Sequence, residues 1–179
     1  MVYFKHKIYI VFRSVTLQKS TYTWQKDDRF SVTTDTEGID LYKMAELIKE
    51  HDWTVCDRPV DMTVEAIRNS ETFICLDGRT PIGFMRMVTD YVTMAYVTDV
   101  NISSEYQGMG LSVFMLDCVF KKHPVFRKMR RVNLITPNAS GLYAKYGFRP
   151  ASHPEEYMER NTSYEEAYAD YFDRKRTNR

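Results

Sequence analysis

The sequence predicts a mixed α+β domain with a mostly antiparallel sheet of about seven strands, and three observations support this prediction. The chain has 179 residues, which is long enough for one domain with a sizeable core. Its 44% hydrophobic and 27% charged residues are typical of globular proteins and exclude collagen and disordered chains. Apolar residues alternate along the chain between a two-residue period and a helical period, which indicates strands interspersed with helices.

Charge, cysteine usage and the length of the apolar runs exclude several classes of protein. A formal net charge of +1 provides no overall attraction to nucleic acid or to a membrane, and no stretch approaches the length of a membrane span. Cys56, Cys75 and Cys118 are widely spaced, so we expect reduced core cysteines in a reducing compartment. The four histidines show no metal spacing, and no metal is predicted.

Both ends of the chain are predicted to extend a central domain. Residues 1–28 carry five basic residues before or beside the first acid, Asp27, which is the charge bias of a mitochondrial transit segment. The stretch KIYIVFRSV favours instead an extra strand or a loosely ordered extension, because it is rich in β-branched and aromatic residues. Residues 161–179 are predicted to form a C-terminal helix and a basic tail, since Ser163 and Glu166 make a capping box.

Between residues 30 and 102 the pattern predicts four strands and two helices. A strand over FSVTTD is followed by a helix over DLYKMAELIKEHD and a shorter helix over DMTVEAIRNS. Three strands come next, and an Asp-Gly pair marks a hairpin between the first two. These strands are ETFICLD, PIGFMRMV and MAYVTDVNI.

Beyond residue 102 the pattern predicts two helices and two strands before the C-terminal extension. A helix runs from a glycine-containing turn to about Lys122, and a strand covers RVNLIT. A short helix begins near Asn138 and ends at Gly147. A last strand is expected over EYMER.

The stretch DVNISSEYQGMGLS places Gly108 and Gly110 between a predicted strand and a predicted helix. Glycines at a helix start leave backbone amides open to an anion, so the turn suits a phosphate group. A P-loop is excluded because Leu111 and Ser112 follow Gly110, where that motif needs Lys and then Ser or Thr. A dinucleotide fingerprint is excluded because Val113 stands at its third glycine. A purely structural turn would also explain the glycine pair.

Two motifs resemble those of the GCN5-related N-acetyltransferase (GNAT) superfamily. QGMGLS matches the signature Gln/Arg-x-x-Gly-x-Gly/Ala, with Ser112 in place of the last small residue. NASGLYAKYGF resembles the second motif, in which a tyrosine, here Tyr143, stands four residues before a Gly-Phe pair. The resemblance covers roughly residues 29–160. It implies an acyl-CoA N-acyltransferase fold, with a central twisted sheet flanked by helices and a splayed strand pair at the acetyl-CoA site.

The resemblance implies that acetyl-CoA is the acetyl donor and that the main chain holds most of it. Amides of the glycine turn would bind the pyrophosphate, and the strand before the turn would pair with the pantetheine arm. The residues implied are Val100, Asn101, Ile102, Gln107, Gly108, Met109, Gly110, Leu111, Ser112, Asn138 and Tyr143. The Ser112 hydroxyl would add a hydrogen bond there or only cap the helix.

The resemblance also implies roles in the transfer. The Val100 N–H is the expected oxyanion donor, and Tyr143 is the expected general acid, although a helical stripe equally suits a core tyrosine. Family members that acetylate protein lysines often carry a Glu where Tyr96 stands here, which leaves the base open. Asp99, the nearest carboxylate, fits either substrate contact and proton transfer or structural hydrogen bonding. Trp53 fits either a wall of the acceptor pocket or an aromatic residue packed under its loop.

We therefore expect an N-acetyltransferase that moves the acetyl group of acetyl-CoA directly to a primary amine on a small molecule. The alternatives are a protein acetyltransferase acting on lysine or an N-terminus, and a non-catalytic module that binds or senses acetyl-CoA. The expected partner is the small-molecule amine, without nucleic acid or membrane, and a homodimer is left open. The expected compartment is the cytoplasm, with the mitochondrion as the alternative.

Overall fold

One mixed sheet of six strands organises the residues that this computed structural model of the protein describes, which are 20–50, 58–163, 166–169 and 171. The strands follow one another across the sheet in chain order. The first five pair antiparallel, and the sixth joins the fifth in parallel. The strands are β1 (Thr23–Gln25), β2 (Phe30–Thr33), β3 (Glu71–Asp77), β4 (Thr80–Thr89), β5 (Met94–Ile102) and β6 (Arg131–Asn133). This architecture confirms the predicted mixed α+β fold.

Helices cover both faces of the sheet. The α-helices in the described part are α1 (Leu41–Glu46), α2 (Val60–Arg68), α3 (Leu111–Asp117) and α4 (Ser140–Ala144). A 3₁₀ turn over Leu47–Glu50 extends α1, and a π-helical turn over Cys118–Lys122 extends α3. None of the helices described here combines the length and the apolarity that crossing a membrane needs.

Two apolar clusters lie on opposite faces of the sheet, because successive strand residues point to opposite sides. Ile74 and Phe84 pack against α1 and α2, while their neighbours Phe73 and Met85 pack in the cluster that includes α3 and α4. Both clusters consist of side chains with almost no exposed surface. Cys75 and Cys118 are buried free thiols in the α3 cluster, as predicted, whereas Cys56 lies outside the described residues.

Two helix starts form at the predicted residues. The Asp40 carboxylate accepts hydrogen bonds from the backbone N–H groups of Tyr42 and Lys43, at 3.1 and 3.0 Å. The Ser163 hydroxyl accepts one from the N–H of Glu166 at 3.2 Å. Each bond satisfies a backbone donor that has no partner within its helix.

The strand predicted over EYMER is wrong, which accounts for six strands where about seven were expected. Residues 157–163 belong to no strand in the described part of the chain, and Tyr157 and Met158 are 62% and 96% exposed. A segment with alternating residues forms a strand only where a neighbouring strand is available to pair with it. Here β6 is only three residues long and pairs with β5.

The N-terminal part of the chain contributes β1 to the edge of the sheet. The side chain of Trp24 stacks on Phe73, with 6.0 Å between the ring centroids. The predicted strand over KIYIVFRSV lies outside the described residues. The described strand of the 1–28 segment comes later, at Thr23–Gln25.

His123 lies in an aromatic enclosure within the α3 cluster. Its ring centroid lies 4.8, 5.6 and 4.5 Å from those of Tyr22, Phe73 and Phe126. Its Nδ1 atom accepts hydrogen bonds from the backbone N–H groups of Val125 and Phe126, both at 3.3 Å. Burial lowers the pKa of the imidazole to about 4, so the ring is neutral at neutral pH.

Gly83 of β4 allows the last residues of β5, Asn101 and Ile102, to approach closely. A Cβ atom at this position would lie 2.5 Å from the carbonyl oxygen of Asn101 and 2.5 Å from Cδ1 of Ile102. A backbone atom cannot give way as a flexible side chain does. Glycine is therefore required here by space rather than by its backbone angles.

We expect Gly83→Ala to lower the free energy of unfolding by about 1–3 kcal/mol, because overpacking forces the two strands apart. Gly141→Ala is the matched control, since a Cβ there meets no heavy atom within 4 Å. Alanine favours a helix over glycine by up to ~1 kcal/mol, so the control is expected to be neutral or stabilising. Urea denaturation measures both variants. Equal effects of the two substitutions would contradict the role of Gly83.

We expect His123 to make stability depend on pH. Its pKa rises from about 4 to 6.5 on unfolding, so unfolding takes up a proton as the pH falls through this window. The stability contribution of neutral His123 is complete above pH 6.5 and is lost as the pH falls towards 4. His123→Asn keeps an acceptor for the two amides without the titration. Urea denaturation between these two pH values is expected to show a shallower pH slope for the variant, and an equal slope would refute the assignment.

Candidate active site

A cleft of about 640 Å³ opens where β5 parts from β6. The two strands pair only over Met94–Tyr96 and Arg131–Asn133. Beyond these residues β5 forms one wall of the cleft and residues 134–139 form the opposite wall. This geometry is the splayed strand pair that the sequence predicted. The strand predicted over RVNLIT ends early, at Asn133, because the chain there leaves β5.

A β-bulge interrupts β5 at Asp99 and Val100, on the wall of the cleft. The register shifts between Phe84 and Arg86 of β4, where two residues of β5 lie opposite one of β4. Asp99 has a φ of 53°, in the left-handed region that Asp and Asn adopt more readily than most residues. A bulge bends its strand and turns side chains away from the regular alternation. The surroundings of Asp99 therefore differ from those that strict alternation predicts.

The carboxylate of Asp99 is bound by two arginines. Its Oδ2 atom accepts hydrogen bonds from Arg86 Nε at 2.5 Å and from Arg58 Nη2 at 3.1 Å. Its Oδ1 atom accepts one from the Thr98 hydroxyl at 3.3 Å. The side chains of Asp99 and Arg86 are only 8% and 7% exposed. Asp99 is therefore engaged in two ion pairs, and it could act as a base only at the expense of these pairs.

The glycine turn presents its backbone at one end of the cleft. Gly108 and Gly110 have φ angles of 80° and 72°, which favour glycine. A Cβ built on either would have no heavy atom within 4 Å, so the backbone here faces open space. The Gly110 carbonyl accepts the N–H of Phe114, which starts α3. The Gln107 side-chain amide donates to the Ile102 carbonyl at 3.4 Å and joins the turn to the end of β5.

The structure brings nearly all of the predicted site residues together. Every residue predicted to hold acetyl-CoA lines the cleft except Met109, whose side chain is exposed outside it. Tyr96 and Asp99 line the cleft as well. Trp53 lies outside the described residues, so its predicted place at the acceptor pocket stays a prediction.

Tyr143 combines the two interpretations that the sequence left open. Its side chain belongs to the α3 cluster and is only 7% exposed, and the residue also lines the cleft. Among the described residues, none forms a hydrogen bond with its hydroxyl. Burial raises the pKa of this hydroxyl, so it keeps its proton at neutral pH. The arrangement suits a proton donor, whose role stays a prediction.

Tyr146 fixes the segment that carries Tyr143. Its hydroxyl donates to the Asp117 carboxylate at 2.7 Å and lies 3.0 Å from the Val113 carbonyl. Both acceptors belong to α3. The second motif is thereby held against the helix that begins at the glycine turn.

Potential metal ligands lie apart from the cleft in the part of the chain that the structure describes. His153, Glu155 and Glu156 form an exposed group whose ligand atoms lie within 4.8 Å of one another. None of the three lines the cleft.

Comparison with protein families identifies the chain. The model of the acetyltransferase (GNAT) family matches residues 38–148, which include α1 to α4, β3 to β6, both motifs and the cleft. This chain belongs to the GNAT acetyltransferase family. The two predicted motifs of the GNAT protein form the glycine turn and the segment around Tyr143.

Curated relatives support the assignment. A candidate acetyltransferase of Gibberella zeae is 30% identical to this GNAT protein over 141 residues, which cover 68% of this chain and 79% of the relative. The uncharacterized N-acetyltransferase ycf52 of Porphyra purpurea is 27% identical over 125 residues, which cover 64% of this chain and 67% of the relative.

Solved structures share the fold. A candidate GNAT acetyltransferase of Xanthomonas campestris has a TM-score of 0.68 and 35% identity, over 74% of this chain and 93% of its own. A candidate acetyltransferase of Clostridium acetobutylicum, solved with acetyl-CoA, has a TM-score of 0.53 over 79% of this chain and 96% of its own. Its identity of 16% shows the shared fold alone.

Sequence reasoning missed the arginines that hold Asp99. Arg86 stands inside the apolar strand PIGFMRMV, where most side chains are buried. A charged residue is rarely buried without a partner. This position is the signal that could have predicted an acidic partner on a neighbouring strand.

We expect Gly110→Asp to lower the affinity of this GNAT protein for coenzyme A by about tenfold or more, because it puts a negative charge where a pyrophosphate meets backbone amides. Gly38→Asp is the matched control, with the same φ of 72° and the same open space around its Cβ. It carries the same backbone strain away from the cleft. Calorimetric titration with coenzyme A measures binding, and circular dichroism checks folding. Equal affinity losses in both variants would refute the phosphate site.

Proposed function

We propose that this GNAT protein transfers the acetyl group of acetyl-CoA directly to a primary amine of a small molecule, with both substrates bound at once. The cleft between β5 and β6 carries the proposal. It joins an open glycine turn at one end to a buried tyrosine without a hydrogen-bond partner among the described residues.

The residues present suit acetyl-CoA. Backbone amides at Gly108–Ser112 would bind the pyrophosphate, since neither glycine carries a side chain into the open space in front of them. The main chain of Val100–Ile102 would pair with the amides of the pantetheine arm, because β6 does not pair with this part of β5 and leaves that side of the strand open. Asn138 would contribute from the opposite wall.

The chemistry requires two contributions from the chain, at the carbonyl oxygen and at the departing sulfur. The amine nitrogen attacks the thioester carbonyl carbon, a C–N bond forms and the C–S bond breaks. The Val100 N–H would stabilise the negative charge that develops on the carbonyl oxygen. The Tyr143 hydroxyl would give its proton to the departing thiolate, and the raised pKa of this hydroxyl keeps the proton available. The acetylated nitrogen loses its proton to water in the cleft.

The acceptor must reach the site without its proton. An amine with a reference pKa of about 10.4 loses that proton at pH 7 at a cost of about 4–5 kcal/mol. Tyr96 stands on the cleft wall where protein-lysine acetyltransferases of the family often carry a Glu. This difference supports a small amine, whose own pKa can be lower, over a protein lysine.

Release of coenzyme A thiol with a panel of amines tests the proposal. We expect release with at least one small amine and none with lysine peptides. Activity confined to the peptides would favour a protein acetyltransferase. Binding of acetyl-CoA without release for any acceptor would favour a non-catalytic module.

We expect Tyr143→Phe to reduce the single-turnover rate about 10²- to 10⁴-fold, the usual contribution of a general acid, with little change in acetyl-CoA affinity or stability. Tyr146→Phe is the matched control, since its hydroxyl binds α3 and it does not line the cleft. The control is expected to lose about 1–2 kcal/mol of stability and to keep the rate. A wild-type rate in Tyr143→Phe would leave Tyr143 as a core residue.

A further inference from the structure

We propose that Arg86 and Asp99 are positioning residues that hold the bulge of β5 so that the Val100 N–H points at the thioester carbonyl. The proposal rests on the proposed function and deepens it. Arg86 and Asp99 lie outside both motifs, and they would act on the reaction only through the backbone of β5 that they hold. Arg86 comes from β4 and acts through Asp99.

The conformation of the bulge needs a restraint, because Asp99 has a left-handed φ of 53°. The Asn101 side-chain amide donates to the Asp99 carbonyl at 2.9 Å and to the Phe84 carbonyl at 3.3 Å. The C=O and N–H of one trans peptide point in opposite directions. With the Asp99 carbonyl turned towards Asn101, the Val100 N–H is directed the other way. The Asn101 amide that binds the Asp99 carbonyl also binds the Phe84 carbonyl of β4, so the Val100 N–H is directed away from β4, towards the side of β5 on which the cleft lies.

Arg86 connects this peptide to the end of α2. Its Nη1 atom donates to the Ala66 carbonyl at 3.1 Å and lies 3.2 Å from the Ser70 hydroxyl. Its Nε atom donates to Asp99 at 2.5 Å. A planar guanidinium with both ends bound fixes the distance and the direction between its partners. The bulge is therefore held in place by its connection to α2.

Arg58 adds a second connection to the same carboxylate. Its Nη2 atom donates to Asp99 at 3.1 Å, and its Nε atom donates to the Thr63 hydroxyl of α2 at 3.0 Å. Asp99 is thus held from two positions that are both fixed to α2. A buried ion pair is often no better for stability than apolar residues of the same shape, so directed hydrogen bonds at the cleft are the more specific reason for this cluster.

Two substitutions of Asp99 separate positioning from proton transfer. Asparagine adopts the left-handed region and keeps an oxygen for Arg86, whereas alanine provides neither. We expect Asp99→Asn to keep the transfer rate within about tenfold of wild type and Asp99→Ala to lose about 10²- to 10³-fold, the usual effect of losing an oxyanion donor. The pH profile of Asp99→Asn is expected to match that of wild type. Equal losses in both variants, with a changed pH profile of Asp99→Asn, would identify a base and overturn the proposal.

Substitutions of Arg86 test the connection itself. We expect Arg86→Gln to lower the single-turnover rate about 10²-fold with unchanged acetyl-CoA affinity, and Arg86→Lys to restore part of it. Arg58→Gln is a milder variant at the same carboxylate, with the same direction of effect, in case Arg86→Gln unfolds. Arg68→Gln is the control, since Arg68 forms an exposed ion pair with Glu65 on α2. A rate and an affinity that fall together in every variant would overturn the positioning role.

The amide resonance of Val100 provides a readout that does not depend on transfer. In protein labelled with ¹⁵N-valine, we expect Arg86→Gln and Asp99→Ala to shift this resonance, and Arg68→Gln to leave it unchanged. An unmoved resonance in Arg86→Gln and Asp99→Ala would overturn the proposal even if wild type transfers acetyl groups. If wild type transfers no acetyl group to any amine, the proposed function fails and the catalytic part of this inference fails with it.

Discussion

The separation of β5 from β6 is the constraint on which the rest of the site depends. The two strands share three pairs of residues, after which the chain of β6 leaves β5 and the bulge at Asp99 and Val100 follows on β5. Only a strand that has lost its neighbour can offer its main chain to a ligand, because a paired strand uses its N–H and C=O groups within the sheet. The same separation opens the space that the glycine turn and Tyr143 share. The proposed binding of acetyl-CoA and the proposed catalysis would therefore both depend on one local interruption of the sheet.

The ion-pair cluster connects this interruption to stability. Asp99 and Arg86 are both nearly inaccessible to water, so each charge is costly unless the other compensates for it. Removing one partner of such a pair typically costs about 3–5 kcal/mol, more than the pair itself contributes relative to apolar residues. A substitution that disturbs this ion pair is therefore expected to change both the conformation of the bulge on the cleft wall and the stability of the protein. A sequence that changes Arg86 needs a compensating change at Asp99.

The sequence predicted the fold, and the family resemblance implied residues for acetyl-CoA that the structure brings together along one cleft. Gly108 and Gly110 are recognisable because only glycine suits an open, left-handed turn at a helix start. The pairing of β3 with β4 followed from alternation and from the Asp-Gly hairpin. The strand predicted over EYMER is wrong because alternation shows which side chains of a segment would share a face, but it does not show whether a neighbouring strand is present to pair with the segment. The bulge at Asp99 could not be predicted, because it reverses the alternation and no local sequence signal marks it; Arg86 inside an apolar strand indicated only that an acidic partner lay nearby.

The two halves of the cleft differ in what the side chains decide. In the proposed function, the cofactor half would use backbone amides at Gly108–Ser112 and the main chain of Val100–Ile102, so the side chains there would matter less than the backbone geometry. The acceptor half would use side chains such as Tyr96 and Thr98, which line the cleft, to select the amine. Tyr143 belongs to both, since its ring packs in the core while its residue lines the cleft. This division explains why motifs identify the acetyl donor readily, whereas the acceptor must be inferred from the individual residues that face it.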